Sequence, residues 1–334
     1  MTRVGVVYYP EGQGHATRML GVVQALERRG ADVHIAGGGP GTKFVELQGY
    51  DVYQATAVEF IRDYQYSTAP VLNVLTGSLG GSCRRIRDLV GWVRRTDPEV
   101  LITDDMFAVA AATITRTPFY VVSHNASGLY DAVFDQGIWW VINRYQQVAS
   151  REFLYPAVWP PVDDDPRRFR RIPPIALEGG PDPGGVPDDL DVLVVPSAYS
   201  EGFDELADRL QRVGYRVEHV GGEGWQTVPA LLPWIRAADV VVCSGYSTVM
   251  EAAVAGTPCV IWPFTDEQEG VARRIELTGV RGFRVERSLT HVVRAVESPP
   301  PGPRHENGID RVAEIVLENE RPATRAESSA PRGL

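Results

Sequence analysis

Apolar positions along the chain fall into two alternating periods. Runs that are apolar almost throughout, Val4 to Tyr8, Val100 to Thr103, Phe119 to Val122, Val192 to Val195, Val240 to Cys243 and Pro258 to Ile261, have the pattern of strands buried on both faces of a parallel sheet. Between them, apolar residues recur at helical spacing. Met19, Leu20, Val22, Val23 and Leu26 lead up to Gly30, and Leu72, Leu75, Leu79, Ile86, Leu89 and Val93 mark a helix within Val71 to Arg95. Further helices are predicted near Phe107 to Thr115, Leu129 to Phe153, Phe203 to Val213, Val228 to Ala237, Ser247 to Gly256, Glu267 to Thr278, Leu289 to Val296 and Ile309 to Leu317. Asp32 to Ala36, Arg216 to Val220 and Gly282 to Val285 complete the strands, with a short one at Arg170 to Ile172. Strand, helix, strand at the start of a chain predicts an α/β fold with a doubly wound parallel sheet.

The alternation is interrupted once. Between Tyr155 and Asp189 the chain is rich in Pro, Gly and Asp, and this stretch reads as an interdomain hinge. The expected division is an N-terminal Rossmann-like domain over 1–155, a hinge over 156–189, a second Rossmann-like domain over 190–298, a C-terminal helix over 299–320 and a disordered tail over 321–334. A chain of 334 residues with 44% hydrophobic content is long enough to bury two such cores.

Composition narrows the partners. A net charge of -10 without any basic run argues against nucleic acid. Lys43 is the single lysine and every other basic residue is arginine, a bias that fits a salt-adapted or high-GC source. Three cysteines, Cys83, Cys243 and Cys259, without CxxC spacing indicate neither a disulfide framework nor a zinc site. No apolar run approaches a membrane span and no leader pattern opens the chain, so a cytoplasmic location is expected.

Candidate chemistry sits where the strands end. After Cys243 come Ser244 and Gly245, then a helix whose free N–H groups and partial positive charge form a natural phosphate seat. Glu251, about one turn inside, is placed to take the two hydroxyls of a ribose, and the next strand leads to Asp266, Glu267 and Gln268. Three such strand ends suggest a nucleotide-sugar site. In the first half the loop after Tyr8 carries Gly12, Gly14, His15 and Arg18 as GxGHxxR, which is not the GxGxxG dinucleotide fingerprint. Two further strand ends carry Asp104 and Asp105, and Ser123, His124 and Asn125.

The segment SGYSTVMEAAVAGTPCVIWPF, followed by Glu267 and Gln268, resembles the donor-binding signature of GT-B glycosyltransferases, in particular the MurG type that transfers GlcNAc to a lipid intermediate, and its archaeal relatives. GQGHATR is similar to their glycine-rich first loop. The resemblance implies two Rossmann-like domains facing across a cleft. It implies that Ser244, Gly245, Ser247 and Thr248 hold the UDP phosphates, with Gly14 and Tyr246 beside them, that Glu251 holds the ribose, and that Glu267 and Gln268 contact donor-sugar hydroxyls. Two positions depart from the family pattern: Val271 stands where Asn is usual, and PSAYSEG replaces a more glycine-rich loop after Val195.

Transfer by direct displacement needs a base near the acceptor hydroxyl and positive potential at the departing diphosphate. His15 is the candidate base, Asp104 or Asp105 the carboxylate that orients it, and Arg18, His124 and Asn125 candidates for acceptor or phosphate contact. An inverting, metal-independent transfer follows, with a UDP-sugar as co-substrate, no cofactor, and a lipid or small-molecule acceptor with peripheral contact at the inner face of the membrane. The pairs Asp163 and Asp165, and Asp189 and Asp191, spell DxD but read as solvated turn and capping residues. Plainer readings remain for the rest: a helix-capping histidine at 15, helix-capping acids at 104 and 105, packing tryptophans at 139 and 140. Two other functions also remain, a UDP-sugar 2-epimerase or hydrolase of the same fold and a noncatalytic nucleotide-sugar-binding scaffold.

Overall fold

The structure is a computed structural model that describes residues 1–58, 79–163, 165, 168–179, 185–198 and 200–320. The expectations for 71–78, for parts of the hinge and for the tail beyond 320 lie outside the described residues. Two wholly parallel sheets form the frame. The first contains β1 (Arg3–Val7), β2 (Asp32–Gly37), β3 (Tyr53–Gln54), β4 (Val100–Thr103), β5 (Phe119–Val122), β6 (Glu152–Pro156) and β7 (Phe169–Ile172), in the order β3-β2-β1-β4-β5-β6-β7. The second contains β8 (Leu190–Val195), β9 (Val217–His219), β10 (Ala238–Cys243), β11 (Cys259–Ile261) and β12 (Phe283–Val285), in the order β12-β11-β10-β8-β9.

Each order reverses at one place, and there the loops diverge to opposite sides and leave a crevice at the carboxyl ends of the strands. In the first sheet the reversal lies between β1 and β4, paired in register from Val4↔Val100 to Val7↔Thr103. In the second it lies between β8 and β10, where Cys243 pairs with Val195. The residues that follow Val7, Thr103, Val195 and Cys243 therefore line the two crevices.

Alternation along the strands sorts the cores. Val240 and Val242 face one layer with Phe203, Leu206 and Val292, whereas Val241 and Cys243 face the other with Val249, Met250 and Ala252. The second layer is continuous with the N-terminal core built on Val7, Leu101, Val121 and Phe153, so apolar packing runs from one sheet to the other. The remaining face of the first sheet, with Val4, Val6, Ile102 and Val122, is covered by α1 (Gly14–Arg28) and, from the far end of the chain, by the helix Ile309–Glu320. Ile309, Val312, Ile315 and Val316 are nearly fully buried there. At about 1.5–3 kcal/mol for each buried aliphatic side chain, this anchors the C-terminal helix firmly to the N-terminal domain.

Several boundaries differ from the pattern-based expectation, and the helix expected over Val228 to Ala237 is Leu232–Ala237. The helix expected over Leu129 to Phe153 is the shorter Val133–Ala149, and the chain then turns into β6. The first sheet also continues past residue 155, because β7 pairs with β6 from Phe153↔Phe169 to Pro156↔Ile172. Trp139 stacks on Tyr130 inside, while Trp140 is exposed together with Val133, Phe134, Val141 and Val148 on one helix.

Candidate active site

The loop after β1 enters α1 at Gly14, and the first turn of α1 carries His15 and Arg18 side by side, since residues three apart share a helix face. The strand across the reversal, β4, ends on Asp104. Its Oδ2 accepts from His15 Nδ1 at 2.8 Å and from Arg18 Nη2 at 2.6 Å, and its Oδ1 accepts the backbone N–H of Tyr9 at 2.8 Å. Arg18 Nη2 and His15 Nδ1 lie 3.0 Å apart because both donate to one oxygen. When the ring carries a single proton, on Nδ1 toward Asp104, the lone pair of His15 is on Nε2. Burial alone would push the Asp104 carboxyl up, but the neighbouring His15 and Arg18, by charge and hydrogen bond, hold it below the usual carboxylate range.

Asp105 is elsewhere. The strand alternation sends it to the opposite side, where it caps the helix Met106–Thr115 through Phe107 N–H at 2.8 Å and pairs with Arg85 Nε at 2.8 Å. Both side chains of that pair are fully buried. Arg85 also donates to the carbonyls of Tyr8, Gly37 and Thr56, tying together the carboxyl ends of β1, β2 and β3. Between the two adjacent acids, Asp104 is thus the partner of His15 and Asp105 a structural group.

A second set of contacts reaches across the cleft. Arg18 Nη1 donates to His124 Nδ1 at 3.1 Å, and His124 Nε2 meets Glu267 Oε1 at 2.7 Å. Glu267 lies in the first turn of the helix Asp266–Thr278 in the C-terminal domain. Because Nδ1 accepts from Arg18, the proton sits on Nε2 and is donated to Glu267. Burial and the adjacent Arg18 and His15 outweigh the pull of Glu267 and keep the His124 pKa below its usual value, in agreement with a neutral ring. Burial would raise the Glu267 carboxyl, but the His124 hydrogen bond and the nearby cationic groups hold it down.

The residues expected on the donor side lie at the second reversal. The helix Tyr246–Ala255 starts directly after β10 with Gly245 at its N-cap, and Ser247 sits so close to α1 that a Cβ on Gly14 would lie 2.1 Å from Ser247 Oγ. The N-termini of α1 and of this helix therefore meet, one from each domain. Beside them three serines form a cluster. Ser244 Oγ accepts from Ser197 N–H at 2.9 Å and lies 2.6 Å from Ser200 Oγ, which in turn lies 2.8 Å from Ser197 Oγ. Ser197 and Ser200 belong to the loop that departs from the family pattern, and no sequence signal singled them out. Thr248 is buried in the first turn of the helix. Glu251, 6% exposed, has no hydrogen-bond partner among the described residues, and burial pushes its carboxyl up to about 8. An unpaired acid at that depth is costly unless something else supplies its donors.

Three residues expected at the site also make contacts within the protein. The Tyr246 ring lies against His124 and Trp159, and its hydroxyl donates to the Pro156 carbonyl at 3.1 Å, so this side chain locks the helix to the N-terminal domain. Gln268 closes a capping box with Thr265 and donates to Ser197 Oγ at 3.2 Å. Asn125 Oδ1 accepts from Tyr130 at 2.8 Å. Val271, where the resembled signature has Asn, is 2% exposed and belongs to the core. Of the DxD pairs, Asp189 and Asp191 both bind Arg216, and Asp165 binds Arg171. Among the described residues, no three of His, Cys, Asp or Glu gather as a metal ion would require, and no helix is long and apolar enough to cross a membrane.

Two doubly wound parallel sheets that face each other across a cleft, each with its switch point opening on the same space, define the GT-B architecture, and this chain has the GT-B fold. Comparison of the sequence with protein-family profiles and with curated proteins finds no match. Solved structures do match. The Streptomyces sp. SF2575 glycosyltransferase SsfS6 aligns over 95% of this chain and 100% of its own, with TM-score 0.63 and 13% identity. The spinosyn rhamnosyltransferase SpnG, solved with spinosyn aglycone, aligns over 96% of each chain with TM-score 0.62 and 15% identity. MurG of Acinetobacter baumannii aligns over 95% of this chain and 100% of its own with TM-score 0.59 and 13% identity.

Proposed function

We propose that this chain is an inverting, metal-independent glycosyltransferase that moves a hexosyl group from a UDP-sugar to a lipid-linked or small-molecule acceptor. The observation that carries the reading is the His15–Asp104 hydrogen bond, which engages Nδ1 and makes Nε2 the candidate base, one residue from Gly14, where α1 approaches Ser247. As the acceptor oxygen attacks the anomeric carbon, its proton passes to Nε2, and Asp104 stabilises the imidazolium that forms. Negative charge grows on the departing diphosphate, and the N-terminus of the helix Tyr246–Ala255, with Ser244 and Ser247, is the group that receives it. Glu251 is assigned to the ribose diol, whose two hydroxyls are the donors that this buried acid lacks.

SsfS6 and SpnG were also solved with thymidine diphosphate, so thymidine donors belong beside UDP-GlcNAc and UDP-glucose in the donor panel. An apolar acceptor accords with the exposed Phe134, Trp140, Val141 and Val148 of the acceptor-side domain, and a lipid-linked one would bring this face to the membrane in a cytoplasmic protein. The test is incubation with the donor panel with and without acceptor. Acceptor-dependent release of nucleoside diphosphate supports transfer. Interconversion of sugars without acceptor would make the chain an epimerase, and tight binding with neither outcome a scaffold.

A further inference from the structure

The base His15 and the acid Glu267 stand in different domains, yet one unbroken row of side chains joins them: His15, Asp104, Arg18, His124, Glu267. Arg18 is the hub. Its side chain is 2% exposed, and a guanidinium buried to that degree requires compensation. One arm is neutralised by Asp104, whereas the other is spent on a neutral histidine ring. The second contact has a definite consequence, because an imidazole nitrogen that accepts from arginine cannot carry a proton. The proton of His124 is thereby steered to Nε2, the nitrogen that faces Glu267 across the cleft.

Glu267 has two oxygens in different situations. Oε1 is held at 2.7 Å by His124, and Oε2 takes no hydrogen bond among the described residues. The Glu267 side chain keeps 28% of its surface exposed, whereas that of His124 keeps 9%. Both neighbours of this pair are seam contacts as well: the His124 ring lies 4.6 Å from Tyr246, and a Cβ at Gly270 would fall 2.0 Å from the Leu129 carbonyl. The orientation of Glu267 is therefore set by contacts from the opposite domain.

We infer that His124 is a positioning residue for the donor sugar: its Nε2–H, directed by Arg18, pins one oxygen of Glu267 from across the cleft and reserves the other for a sugar hydroxyl. Reading of the sugar is thereby restricted to the closed state, in which the same Arg18 also holds Asp104 against the base. This rests on the donor-site reading given above.

Two substitutions separate the halves of the histidine. His124→Asn places its amide where Nδ1 was, which keeps the Arg18 contact and loses Glu267. His124→Gln reaches the place of Nε2 and can still donate to Glu267. Calorimetric titration of the full chain with UDP and with UDP-GlcNAc is the measurement, repeated with thymidine diphosphate and its glucose ester. The expected result for His124→Asn is unchanged affinity for the bare nucleotide and an affinity for the sugar nucleotide about tenfold weaker, the size of one charge-assisted hydrogen bond, with His124→Gln close to wild type. In a Glu267→Gln background the Asn substitution should lose its effect, because the two act through one contact. A sugar-to-nucleotide affinity ratio within twofold of wild type for His124→Asn would overturn the inference. Equal loss of both ligands, or additivity with Glu267→Gln, would reduce His124 to a structural role. Failure of the wild-type chain to bind any of the four ligands would instead overturn the donor reading itself.

Discussion

Replacing Asp104 by Asn removes one charge and hardly any volume, and it tests the proposed catalytic row at its centre. The carboxylate is fully buried and accepts from Tyr9 N–H, His15 and Arg18 at 2.8, 2.8 and 2.6 Å. The amide oxygen keeps the Tyr9 N–H, but the NH2 group takes the place of Oδ2 opposite both His15 and Arg18, so Arg18 is left without its counter-charge. Orphaning a buried cation costs about 3–5 kcal/mol, and the retained acceptor argues for the lower end, about 3 kcal/mol. For a chain of 334 residues that corresponds to a fall in Tm of about 4 °C. Because the Asp104 carboxyl is held below its ordinary value in the folded protein, its stabilising effect is complete above about pH 4 and disappears as pH falls through the folded value. The Tm gap between wild type and variant should be constant from pH 5 to 8 and close only in acid. Turnover should suffer more, because an amide N–H facing Nδ1 forces the proton onto Nε2 and removes the base; a loss of about 10³–10⁴-fold is expected. The assay is acceptor-dependent release of nucleoside diphosphate at saturating donor, alongside calorimetric affinity for the nucleotide, which should stay within about twofold. Turnover within tenfold of wild type would refute the role of Asp104, and a Tm gap that widens in acid would refute the charge argument.

Other perturbations test separate parts of the site. Glu251 titrates near 8 when folded, far above an ordinary glutamate, so the folded chain keeps a proton that the unfolded chain has lost, and stability falls as pH rises from about 4 to 8. Glu251→Gln should therefore gain Tm relative to wild type across that window, with no further gain above it, while binding the nucleotide more weakly in calorimetry; parallel Tm curves would contradict the buried-acid account. Arg85→Met strands Asp105 in a fully buried position, and thermal or denaturant unfolding should register a loss of about 3–5 kcal/mol. Gly14→Ala inserts a methyl group 2.1 Å from Ser247 Oγ at the domain seam. It should reduce turnover and expand the chain in small-angle scattering while leaving Tm nearly unchanged, whereas full turnover would show that the seam closes differently.

The short apolar runs determined the two sheets, because a parallel strand buried on both faces needs apolar residues at nearly every position, and a run such as Val240 to Cys243 fits little else. The abrupt change to Ser244 and Gly245 likewise marked the strand-to-helix edge where the proposed donor side lies. Local pattern was insufficient where a strand follows a helix without a break: Glu152–Pro156 continues the apolar content of the preceding helix, so β6 was hidden in it. Arg85 was equally concealed, since in CRRIRDL it looks like any arginine of an amphipathic helix, yet it is fully buried and pairs with Asp105. Asp104 and Asp105 are chemically equivalent as neighbours in sequence. They were separated only when strand alternation sent one to His15 and the other beneath the next helix. Periodicity is a property of neighbouring residues and is therefore written in the chain. The contact between His124 and Glu267 joins positions 143 residues apart and depends on how two domains close, which only the tertiary structure decides.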